Sequence, residues 1–360
     1  MHQNKTAFVT FFPIKPNNMG SSAVVNSRFE NWPKKKKLFQ ISHLEIVNNR
    51  FIETISIKKE TPFNKIIKLP SLIYRIYNYL KNTQNKKLII EGASWIFYSF
   101  IVLISLKFFL KDCKVIYISH SIESEIRKKY SNKFIYLLTI ILENFVFKFA
   151  DFSTAVSKKE KLKIKKLYNV DTILFPNGIN LKFIKKKNKT KFDYIIYSGS
   201  YSYGPNKDAI DFLNLEIMPS LTKFFPKLKL ILTGGGYNKK IFPWLIYKKI
   251  IPKNELYNLI YYSKCMCVPL KFGSGTRIKI IEALSLGGIV ISSKKGIEGL
   301  KLFKKNPPFI YKDKKELIKI LKYLILNNYE IKKKSNLNKY FYQKNYSMNN
   351  LTYNFLKIIK

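Results

Sequence analysis

The sequence predicts an α/β protein built from two doubly wound, parallel-sheet domains. Runs typical of strands alternate with runs typical of helices from end to end, and many of the strand-like runs lead into loops rich in Gly, Ser, Pro or His. The pattern restarts after a charged, proline-free stretch at 182–191. With 360 residues, the chain is long enough for each of two domains to bury its own core.

Four short apolar runs predict strands in the N-terminal half. They are Thr6–Phe12, Leu88–Ile90, Lys114–Ser119 and Phe152–Val156, and a further run, Thr172–Phe175, leads into the turn Pro176-Asn177-Gly178. The first run ends in a Pro/Gly/Ser loop, after which a helix is expected to begin near Ser21 or Ser22, both good N-cap residues. Trp95–Leu110 and Phe134–Ala150 are too short to span a bilayer and each contains a charge. Either could touch a membrane, but we predict that both are buried helices.

Four runs predict strands in the C-terminal half. They are Tyr194–Ser198, Lys229–Leu232, Cys265–Pro269 and Gly288–Ser292. The predicted helices are Lys207–Ile217 and two amphipathic segments, Asp313–Leu326 and Asn338–Lys360. We therefore predict an N-terminal domain at 1–184, a C-terminal domain at 190–335, and a C-terminal helix at 336–360 that packs back toward the N-terminal domain.

The chain is strongly basic. Lys and Arg number 66 against 22 Asp and Glu, which gives a formal net charge of +44. Such a charge attracts polyanions, either nucleic acid or an anionic membrane surface. The lysines are spread along almost every segment, and arginine, the residue preferred for bidentate contacts to bases and phosphates, is scarce. A compositional bias toward Lys, Ile, Asn, Tyr and Phe explains the charge best. Membrane attraction would be its consequence, and nucleic-acid binding is disfavoured.

Cysteine usage and the N-terminal sequence favour a cytoplasmic protein. Cys113, Cys265 and Cys267 have no second Cys or His pair nearby, so we expect buried, apolar thiols rather than a zinc site. The first residues lack the charged region of a secretory signal peptide. A run of four lysines, Lys34–Lys37, follows Trp32 in the N-terminal domain, where it could contact the inner face of the membrane, but a solvated loop is the more ordinary interpretation.

The segment Lys271–Glu282, KFGSGTRIKIIE, carries the strongest functional signal in the chain. Its glycine-flanked loop opens a predicted helix. Backbone N–H groups at a helix N-terminus bind phosphate oxygens, and Arg277 and Lys279 add positive charge there. Glu282 is an acceptor-only carboxylate that can take two hydroxyl donors, as a ribose diol offers. Phosphate and diol together describe a nucleotide.

This segment resembles the donor-binding motif of glycosyltransferase family 4, in its GSGTR-type form. The similar run is GSGTRIKIIEALSLGGIVISSKKGIEGL. Further segments fall in the family's usual order: ISHSIESE, FADFSTAVSKKEK, FPNGIN, SGSYSYGPNKDAIDFLNLEIMPSL and FPKLKLILTGGG. The resemblance spans roughly residues 6–346 and rests on several motifs in register. It implies a GT-B fold, in which two Rossmann-like domains face a central cleft and the C-terminal one holds most of a nucleotide sugar.

The resemblance also implies roles for individual residues. Glu282 would accept hydrogen bonds from the ribose hydroxyls, the alternative being a surface ion pair with Lys279. Arg277 and Lys279 would neutralise the diphosphate of the leaving group. His120, which ends a predicted strand, would lie near the transferred sugar and hydrogen-bond one of its hydroxyls, the alternative being a structural histidine. Catalytic roles thus fall on His120 and Arg277. The remaining predicted donor-binding residues are Gly273, Ser274, Gly275, Thr276, Gly20, Ser21, Ser200 and Asn206.

The sequence departs from the common family pattern at three places. Ser274 stands where many members carry a glutamate that contacts the sugar, so this contact is lost or moved. Ser200 and Asn206 stand where many carry an Arg and a Lys, which increases the importance of Arg277. The changes fit a variant site, and the GSGTR-type subgroup is expected to share them. Glu123 has two possible roles, orienting an acceptor or capping the helix that follows it.

The resemblance implies a retaining glycosyltransferase that moves a sugar from a UDP- or GDP-sugar to a glycan or lipid-linked acceptor, as in surface polysaccharide assembly. No Asp-x-Asp pair stands where a donor diphosphate would need a metal, so a metal-independent enzyme without a cofactor is expected. Two alternatives remain open. One is a GT-B nucleotide-sugar epimerase, for which Glu123 and Glu282 are the candidate acid/base groups. The other is a basic nucleic-acid-binding protein.

Overall fold

The chain forms two compact units, seen in a computed structural model. One unit comprises Met1–Asn177 together with Leu351–Lys360, and the other comprises Gly178–Asn350. The structure describes residues 4–15, 20–33, 35–43, 48–181, 183, 193–272, 276–301 and 308–359, except for the side chains of 129, 130, 328–330 and 332. Apart from residue 183, the predicted linker at 182–191 lies outside the described residues.

Unit 1 contains a seven-stranded, wholly parallel sheet in the order β3-β2-β1-β4-β5-β6-β7. The strands are β1 Lys5–Thr10, β2 Lys36–Ser42, β3 Ile52–Ser56, β4 Lys86–Gly92, β5 Lys114–Ser119, β6 Phe152–Ala155 and β7 Ile173–Leu174. The helices are α1 Gly20–Asn31, α2 Pro62–Leu80, α3 Ile96–Phe109, α4 Glu123–Tyr130, α5 Lys133–Phe149 and α6 Lys158–Tyr168.

Unit 2 contains a six-stranded, wholly parallel sheet in the order β10-β9-β8-β11-β12-β13. The strands are β8 Tyr194–Ser198, β9 Lys229–Thr233, β10 Leu245–Lys248, β11 Cys265–Val268, β12 Val290–Ser293 and β13 Phe309–Tyr311. The helices are α7 Gly204–Asp211, a π-helical turn Phe212–Ile217, α8 Met218–Thr222, α9 Lys253–Tyr262, α10 Ile278–Ser285, α11 Lys314–Leu326, α12 Asn328–Tyr346 and α13 Met348–Ile358. Most of α13 belongs to unit 1.

Side-chain caps explain where four of the helices begin. The side chains of Thr61, Asn132, Ser157 and Asp313 accept hydrogen bonds from backbone amides in the first turns of α2, α5, α6 and α11. Pro62 adds a residue that tolerates the first helical position of α2. The predicted helices 95–110 and 134–150 form α3 and α5, whose inner faces pack into the apolar core of unit 1.

The two sheets share a topological feature that positions functional loops. In unit 2 the chain runs from β8 outward to β9 and β10, then returns to place β11 on the other side of β8. In unit 1 it runs from β1 to β2 and β3 and returns to β4 on the other side of β1. Ligands in open α/β sheets bind beyond the carboxyl ends of the strands at such a reversal. The loops after β8 and β11, and those after β1 and β4, therefore flank the expected ligand crevices.

Several sequence predictions need correction. The C-terminal helix predicted at 336–360 is two helices, α12 and α13, because the chain is extended at Ser347 (φ −64°, ψ 120°). Half of the lysine run is strand and not a solvated loop: Lys36 and Lys37 begin β2, and Lys36 donates hydrogen bonds to the carbonyls of Glu30 and Trp32, whereas Lys35 is exposed and Lys34 lies outside the described residues. Trp32 is 4% exposed and packs edge-on against Phe8, so it does not face a membrane.

Two other observations concern the predicted thiols and membrane segments. The three cysteines are buried and unbridged, as predicted, and burial raises the pKa of the thiols of Cys113 and Cys265 to about 12. No helix in the described part of the chain is long and apolar enough to cross a membrane.

Candidate functional site

The loops that follow β8 and β9 lie against each other at the carboxyl edge of the unit 2 sheet. The amide of Gly199 donates to the carbonyl of Thr233 at 2.8 Å, and the amide of Tyr201 donates to the carbonyl of Gly235 at 2.8 Å. Gly234 adopts a φ of +129°, and a Cβ there would lie 2.4 Å from the Gly199 carbonyl oxygen. Glycine is therefore required at 234 for the two loops to meet.

Asn206 is the centre of a polar cluster beside this loop pair. Its Oδ1 accepts hydrogen bonds from the Tyr197 hydroxyl at 2.7 Å and from Lys279 Nζ at 3.0 Å. Its Nδ2 donates to the Ser200 carbonyl at 3.0 Å. One amide side chain thus joins β8, the loop after it, and α10. Three of the predicted donor-binding residues, Ser200, Asn206 and Lys279, lie in direct contact.

Lys279 carries an unusual charge environment. Its ammonium group lies 4.2 Å from the centre of the Tyr197 ring and 3.1 Å from the Tyr197 hydroxyl. Burial and the nearby charge of Arg277 lower the pKa of Lys279 to about 7, although Glu282 opposes the change. Two cations held close together are costly without an anion between them. The arrangement is thus suited to receive a multiply charged anion.

Arg277 occupies the N-cap position of α10 and is 9% exposed. Burial also lowers the pKa of its guanidinium, which nevertheless stays protonated at neutral pH. Thr276 precedes it, and the Thr276 carbonyl accepts from the Ile278 amide at 3.0 Å. Arg277 and Lys279, the two cations predicted at the start of this helix, are its N-cap and its second residue. The glycine-flanked loop itself, residues 273–275, lies outside the described residues.

Glu282 lies one turn after Lys279 on α10, and its side chain is 6% exposed. Its Oε1 accepts hydrogen bonds from Lys253 Nζ at 2.7 Å and from the Tyr257 hydroxyl at 3.5 Å. Both partners lie on α9, which packs against α10. The alternative of a surface ion pair with Lys279 is therefore wrong: Glu282 forms a buried pair with Lys253, and Lys279 turns toward Asn206.

Ser200, Gly20 and Ser21 lie outside the buried charged clusters. Ser200 is exposed, and its hydroxyl donates to the Gly235 carbonyl at 3.2 Å. Gly20 and Ser21 form the first turn of α1, close to the helix start predicted near Ser21 or Ser22, and the residues before them, 16–19, lie outside the described part. Ser22 donates to the Pro13 carbonyl at 2.8 Å, which ties the start of α1 to the first part of the loop after β1.

His120 follows β5 at the carboxyl edge of the unit 1 sheet. Its Nε2 lies 2.8 Å from Oε2 of Glu91, which also accepts a 2.5 Å bond from Arg28. Burial alone would raise the pKa of Glu91, but Arg28 and His120 outweigh it and lower the pKa. The ionised carboxylate can only accept, so His120 donates from Nε2. Glu91 thereby fixes the orientation of the imidazole.

The buried ion pair beside His120 is only partly satisfied. Arg28 and Glu91 are both fully buried. Among the described residues, Arg28 Nε and Nη2 and Glu91 Oε1 have no hydrogen-bond partner. The guanidinium lies 4.7 Å from the centre of the Phe175 ring, which supplies a cation–π contact instead.

Glu123 caps a helix, but not the one that follows it. Its Oε2 accepts from the amide of Ile96, the first residue of α3, at 2.6 Å, and its Oε1 accepts from Arg127 at 2.9 Å. Burial raises the pKa of Glu123 to about 7. Its two oxygens hold the start of α3 and a neighbouring side chain in the same unit, so its contacts are structural.

Five residues that shape these clusters were not singled out from the sequence. They are Tyr197, Lys253, Tyr257, Glu91 and Arg28. Glu91 left a signal that could have found it: a carboxylate that ends the apolar run Leu88–Ile90 must be paired if the strand is central. The others lie in segments without a motif. Within the described residues, no group of three or more His, Cys, Asp or Glu could hold a metal ion.

Comparison with known proteins relates unit 2 to a family. Residues 193–327 match the model of a family described as Glycosyl transferases group 1. The matched segment begins just before β8 and ends just after α11, and so contains Ser200, Asn206, Arg277, Lys279 and Glu282. It covers a little over a third of the chain. No curated protein matches the sequence.

Solved structures share the fold over almost the whole chain. Sucrose-phosphate synthase from Thermosynechococcus elongatus is 13% identical, with a TM-score of 0.74 over 99% of this chain and 98% of that one. HepE from Anabaena, in complex with UDP and glucose, is 11% identical, with a TM-score of 0.71 over 99% of both chains. WaaG, a glycosyltransferase involved in lipopolysaccharide biosynthesis, is 12% identical, with a TM-score of 0.63 over 99% of both chains.

At these identities the structural likeness establishes the fold, which is the two-domain GT-B fold predicted from the sequence. The match over residues 193–327 supports a glycosyltransferase of the group 1 type.

Proposed function

We propose that this protein is a retaining glycosyltransferase of the GSGTR-type subgroup of family 4, which transfers a sugar from a UDP- or GDP-sugar. The diphosphate binds at the start of α10, where Arg277 and Lys279 supply positive charge and the backbone of residues 273–276 supplies amides. The two cations stabilise the nucleoside diphosphate as its charge grows during cleavage of the sugar–phosphate bond. No metal ion is needed for this step, because guanidinium, ammonium and amides perform the neutralisation.

The ribose binds at Glu282 in this proposal. Lys253 and Tyr257 hold Oε1, which fixes the carboxylate, and Oε2 accepts hydrogen bonds from the ribose hydroxyls. Ser200 and Asn206 contact the phosphate side of the nucleotide, where Asn206 sets the position of the Lys279 ammonium. Gly20 and Ser21 of unit 1 are assigned to donor binding on the family resemblance alone. His120, oriented by Glu91, hydrogen-bonds a hydroxyl of the transferred sugar.

The acceptor in this proposal is a glycan or a lipid-linked sugar at the inner face of the cell membrane, as in cell-surface polysaccharide biosynthesis. The family resemblance supports the retained anomeric configuration and this acceptor class. HepE was solved with UDP-glucose and with UDP and glucose, which supports a nucleoside diphosphate sugar as the class of donor. WaaG acts in lipopolysaccharide biosynthesis, which supports a surface glycan.

A single observation carries the proposal. Asn206 and Lys279 are hydrogen-bonded to each other at the point where the strand order of the unit 2 sheet reverses, and burial together with the charge of Arg277 lowers the pKa of Lys279 to about 7. The cations Arg277 and Lys279 and the carboxylate of Glu282 are complementary to a nucleoside diphosphate. The cations suit its diphosphate, and the carboxylate suits its ribose hydroxyls.

Incubation with sugar nucleotides tests the reaction class. We expect the protein to release UDP or GDP from one member of a panel of UDP- and GDP-sugars, by transfer or slow hydrolysis, and to leave the configuration of the donor sugar unchanged. Released nucleotide is measured by a coupled assay, and the sugar by NMR. Epimerised sugar without nucleotide release would contradict transfer and favour the epimerase alternative. A steep loss of DNA affinity with rising salt, without nucleotide release, would favour the nucleic-acid-binding alternative.

Nucleotide binding is expected to take up a proton. At about pH 8, Lys279, with its pKa near 7, is mostly neutral in the free protein. A bound diphosphate raises that pKa, so binding should consume nearly one proton, and affinity should fall as pH rises above about 7. Calorimetry of UDP or GDP binding in buffers of different ionisation enthalpy counts the protons.

The control for this measurement is Lys279→Arg, whose side chain stays charged throughout the range. It should bind without proton uptake. Uptake of a full proton by Lys279→Arg, or of none by the wild type, would contradict the assignment of the phosphate site to Lys279. The second pKa of a phosphate group is about 6. Titration above about pH 7 therefore separates it from the lysine.

A further inference from the structure

The outer side of α2, α3 and α5 exposes large apolar side chains in unit 1. The three helices lie side by side, with α3 packed against both of the others. Phe63 and Tyr74 on α2, Phe108 on α3, and Phe134 and Ile141 on α5 are each at least 65% exposed. We refer to these five residues as the apolar face. Exposed apolar surface of this extent marks an interaction site rather than ordinary solvated surface.

A groove runs along the apolar face between α2 and α3. Its volume is about 670 Å³, and its lining is almost entirely apolar, with Ile66 and Ile73 from α2 facing Phe97 and Ile101 from α3. At the carboxyl ends of the two helices, the rings of Tyr77 and Phe109 meet edge-on with centroids 6.2 Å apart. The volume is within the range of sites that take a small molecule or a hydrocarbon chain.

The three helices of the apolar face expose lysines but no carboxylate; the exposed carboxylates Glu60, Asp112 and Asp151 lie beyond the helix ends, where Asp151 pairs with Lys107 of α3. The α2 and α3 segments, described from end to end, contain no Asp or Glu. The carboxylate on α5, Glu143, is fully buried and accepts from the amides of Glu123 and Ser124. Lys68, Lys133 and Lys148 are exposed at the edges. The surface therefore combines an apolar centre with a cationic rim.

The apolar centre and the lysine rim together indicate which partner binds this face. Lysine is depleted from protein–protein interfaces, whereas aromatic residues flanked by lysines suit the interface of an anionic membrane. A second copy of this chain is disfavoured, because a two-fold contact would place the same lysine-rimmed face against itself. An anionic bilayer is complementary to both parts of this surface. Its acyl chains can contact the apolar centre, and its phosphate groups can pair with the lysines of the rim.

We propose that the apolar face docks on the surface of an anionic phospholipid bilayer, with an acyl chain in the groove between α2 and α3 and headgroup phosphates at the surrounding lysines. This inference deepens the membrane location of the proposed function and rests on it. It also replaces the site suggested by the sequence, Trp32 with Lys34–Lys37, because Trp32 is buried and Lys36 is held within unit 1.

Vesicle flotation of the full chain tests the proposal. The wild type should float with phosphatidylcholine vesicles that contain phosphatidylglycerol and should not float with phosphatidylcholine alone. The triple variant Phe108→Ser, Phe134→Ser and Ile141→Ser should lose about tenfold or more in partitioning onto the anionic vesicles, because its apolar contribution is removed while every lysine is kept. Because these three side chains are largely exposed, their replacement should leave the fold intact, which circular dichroism checks.

The matched control changes three equally exposed apolar residues of unit 2. Phe224, Ile250 and Leu326 are 63%, 70% and 71% exposed. Their joint replacement by serine should leave flotation unchanged. If both triple variants float like the wild type, binding comes from the net charge of +44 alone and the proposed face is wrong. Equal losses in both would likewise overturn it.

A fluorescence measurement tests the groove. Tyr74 lines the groove and lies on the apolar face, so a Tyr74→Trp variant places a fluorophore at its mouth. Phosphatidylglycerol with bromine on its acyl chains should quench the added emission strongly, compared with the wild-type background. Absence of acyl-chain quenching in floated protein would overturn the groove assignment.

Two further readouts separate this inference from its alternatives. Sedimentation without lipid should give the same oligomeric state for the wild type and the apolar-face variant. Conversion from dimer to monomer in the variant would assign the face to a second copy instead. Stabilisation by a nucleoside diphosphate should persist in the variant. Its loss in every protein, the wild type included, would contradict the transferase proposal without touching the docking surface.

Discussion

Replacing Glu91 by alanine is expected to lower the free energy of unfolding of unit 1 by about 3–5 kcal/mol. The change removes a fully buried carboxylate and leaves the Arg28 guanidinium without its counter-charge. It also removes the acceptor of His120. An unpaired buried cation is among the few causes of a single-residue effect of this size. Urea unfolding followed by fluorescence measures it. In a Trp244→Phe background, Trp32 and Trp95 report on unit 1 alone.

Two comparisons show whether burial of the charge causes the loss. Glu53 pairs with Lys37 and Arg75, but its side chain is 20% exposed, so Glu53→Ala should cost no more than about 1 kcal/mol. The double variant Arg28→Met with Glu91→Leu removes both charges and should recover most of the stability. Equal effects of Glu91→Ala and Glu53→Ala would contradict the account of a structurally essential buried pair beside His120.

Replacing Glu282 by alanine is expected to remove the stabilisation that a nucleoside diphosphate confers. At about 100 times its dissociation constant, such a ligand should raise the free energy of unfolding of the wild type by about 2.7 kcal/mol, and the variant should gain almost nothing. The variant frees Lys253 from its partner and so adds positive charge near the phosphate site. A loss of binding would then reflect the missing acceptor for the ribose and not a weakened attraction for phosphate.

Glu255 supplies the matched control for this change. It lies on α9 and accepts a 2.8 Å bond from Lys248, and its side chain is 38% exposed. Glu255→Ala removes one carboxylate of the same type from the same unit without touching the proposed ribose position. It should respond to nucleotide as the wild type does. Glu282→Ala can also change the stability of the unliganded protein. For each variant, the free energy of unfolding without ligand is therefore subtracted from the value with ligand.

The fold was predictable where strands are buried and apolar. β5 and β8 were predicted to the residue, and β1, β4, β9, β11 and β12 to within a few residues. The missed strands are β2, β3, β10 and β13, of which the last three are sheet edges. Edge strands are short and half-exposed, so their sequences lack the apolar runs that mark central strands. β2 begins within the lysine run, which concealed its strand character.

The site was predictable only where residues belong to a local motif. Asn206 and Lys279 were found in separate segments, and the structure joins them through a 3.0 Å hydrogen bond. The partners of Glu282 could not be found in this way, because Lys253 and Tyr257 reach it from a different helix through packing of α9 on α10. Long-range pairing of this kind leaves no periodic trace in the sequence. The same reason hid the contact between Arg28 and Glu91.

The melting temperature of the protein with and without UDP, GDP and their sugars tests the central claim most directly. That claim is that Arg277, Lys279 and Glu282 form the binding site for the nucleoside diphosphate part of the donor. At least one of these ligands should raise the melting temperature of the wild type and of Glu255→Ala, but not that of Glu282→Ala. A wild type that responds to none of them, or a Glu282→Ala variant that responds as fully as the wild type, would contradict it.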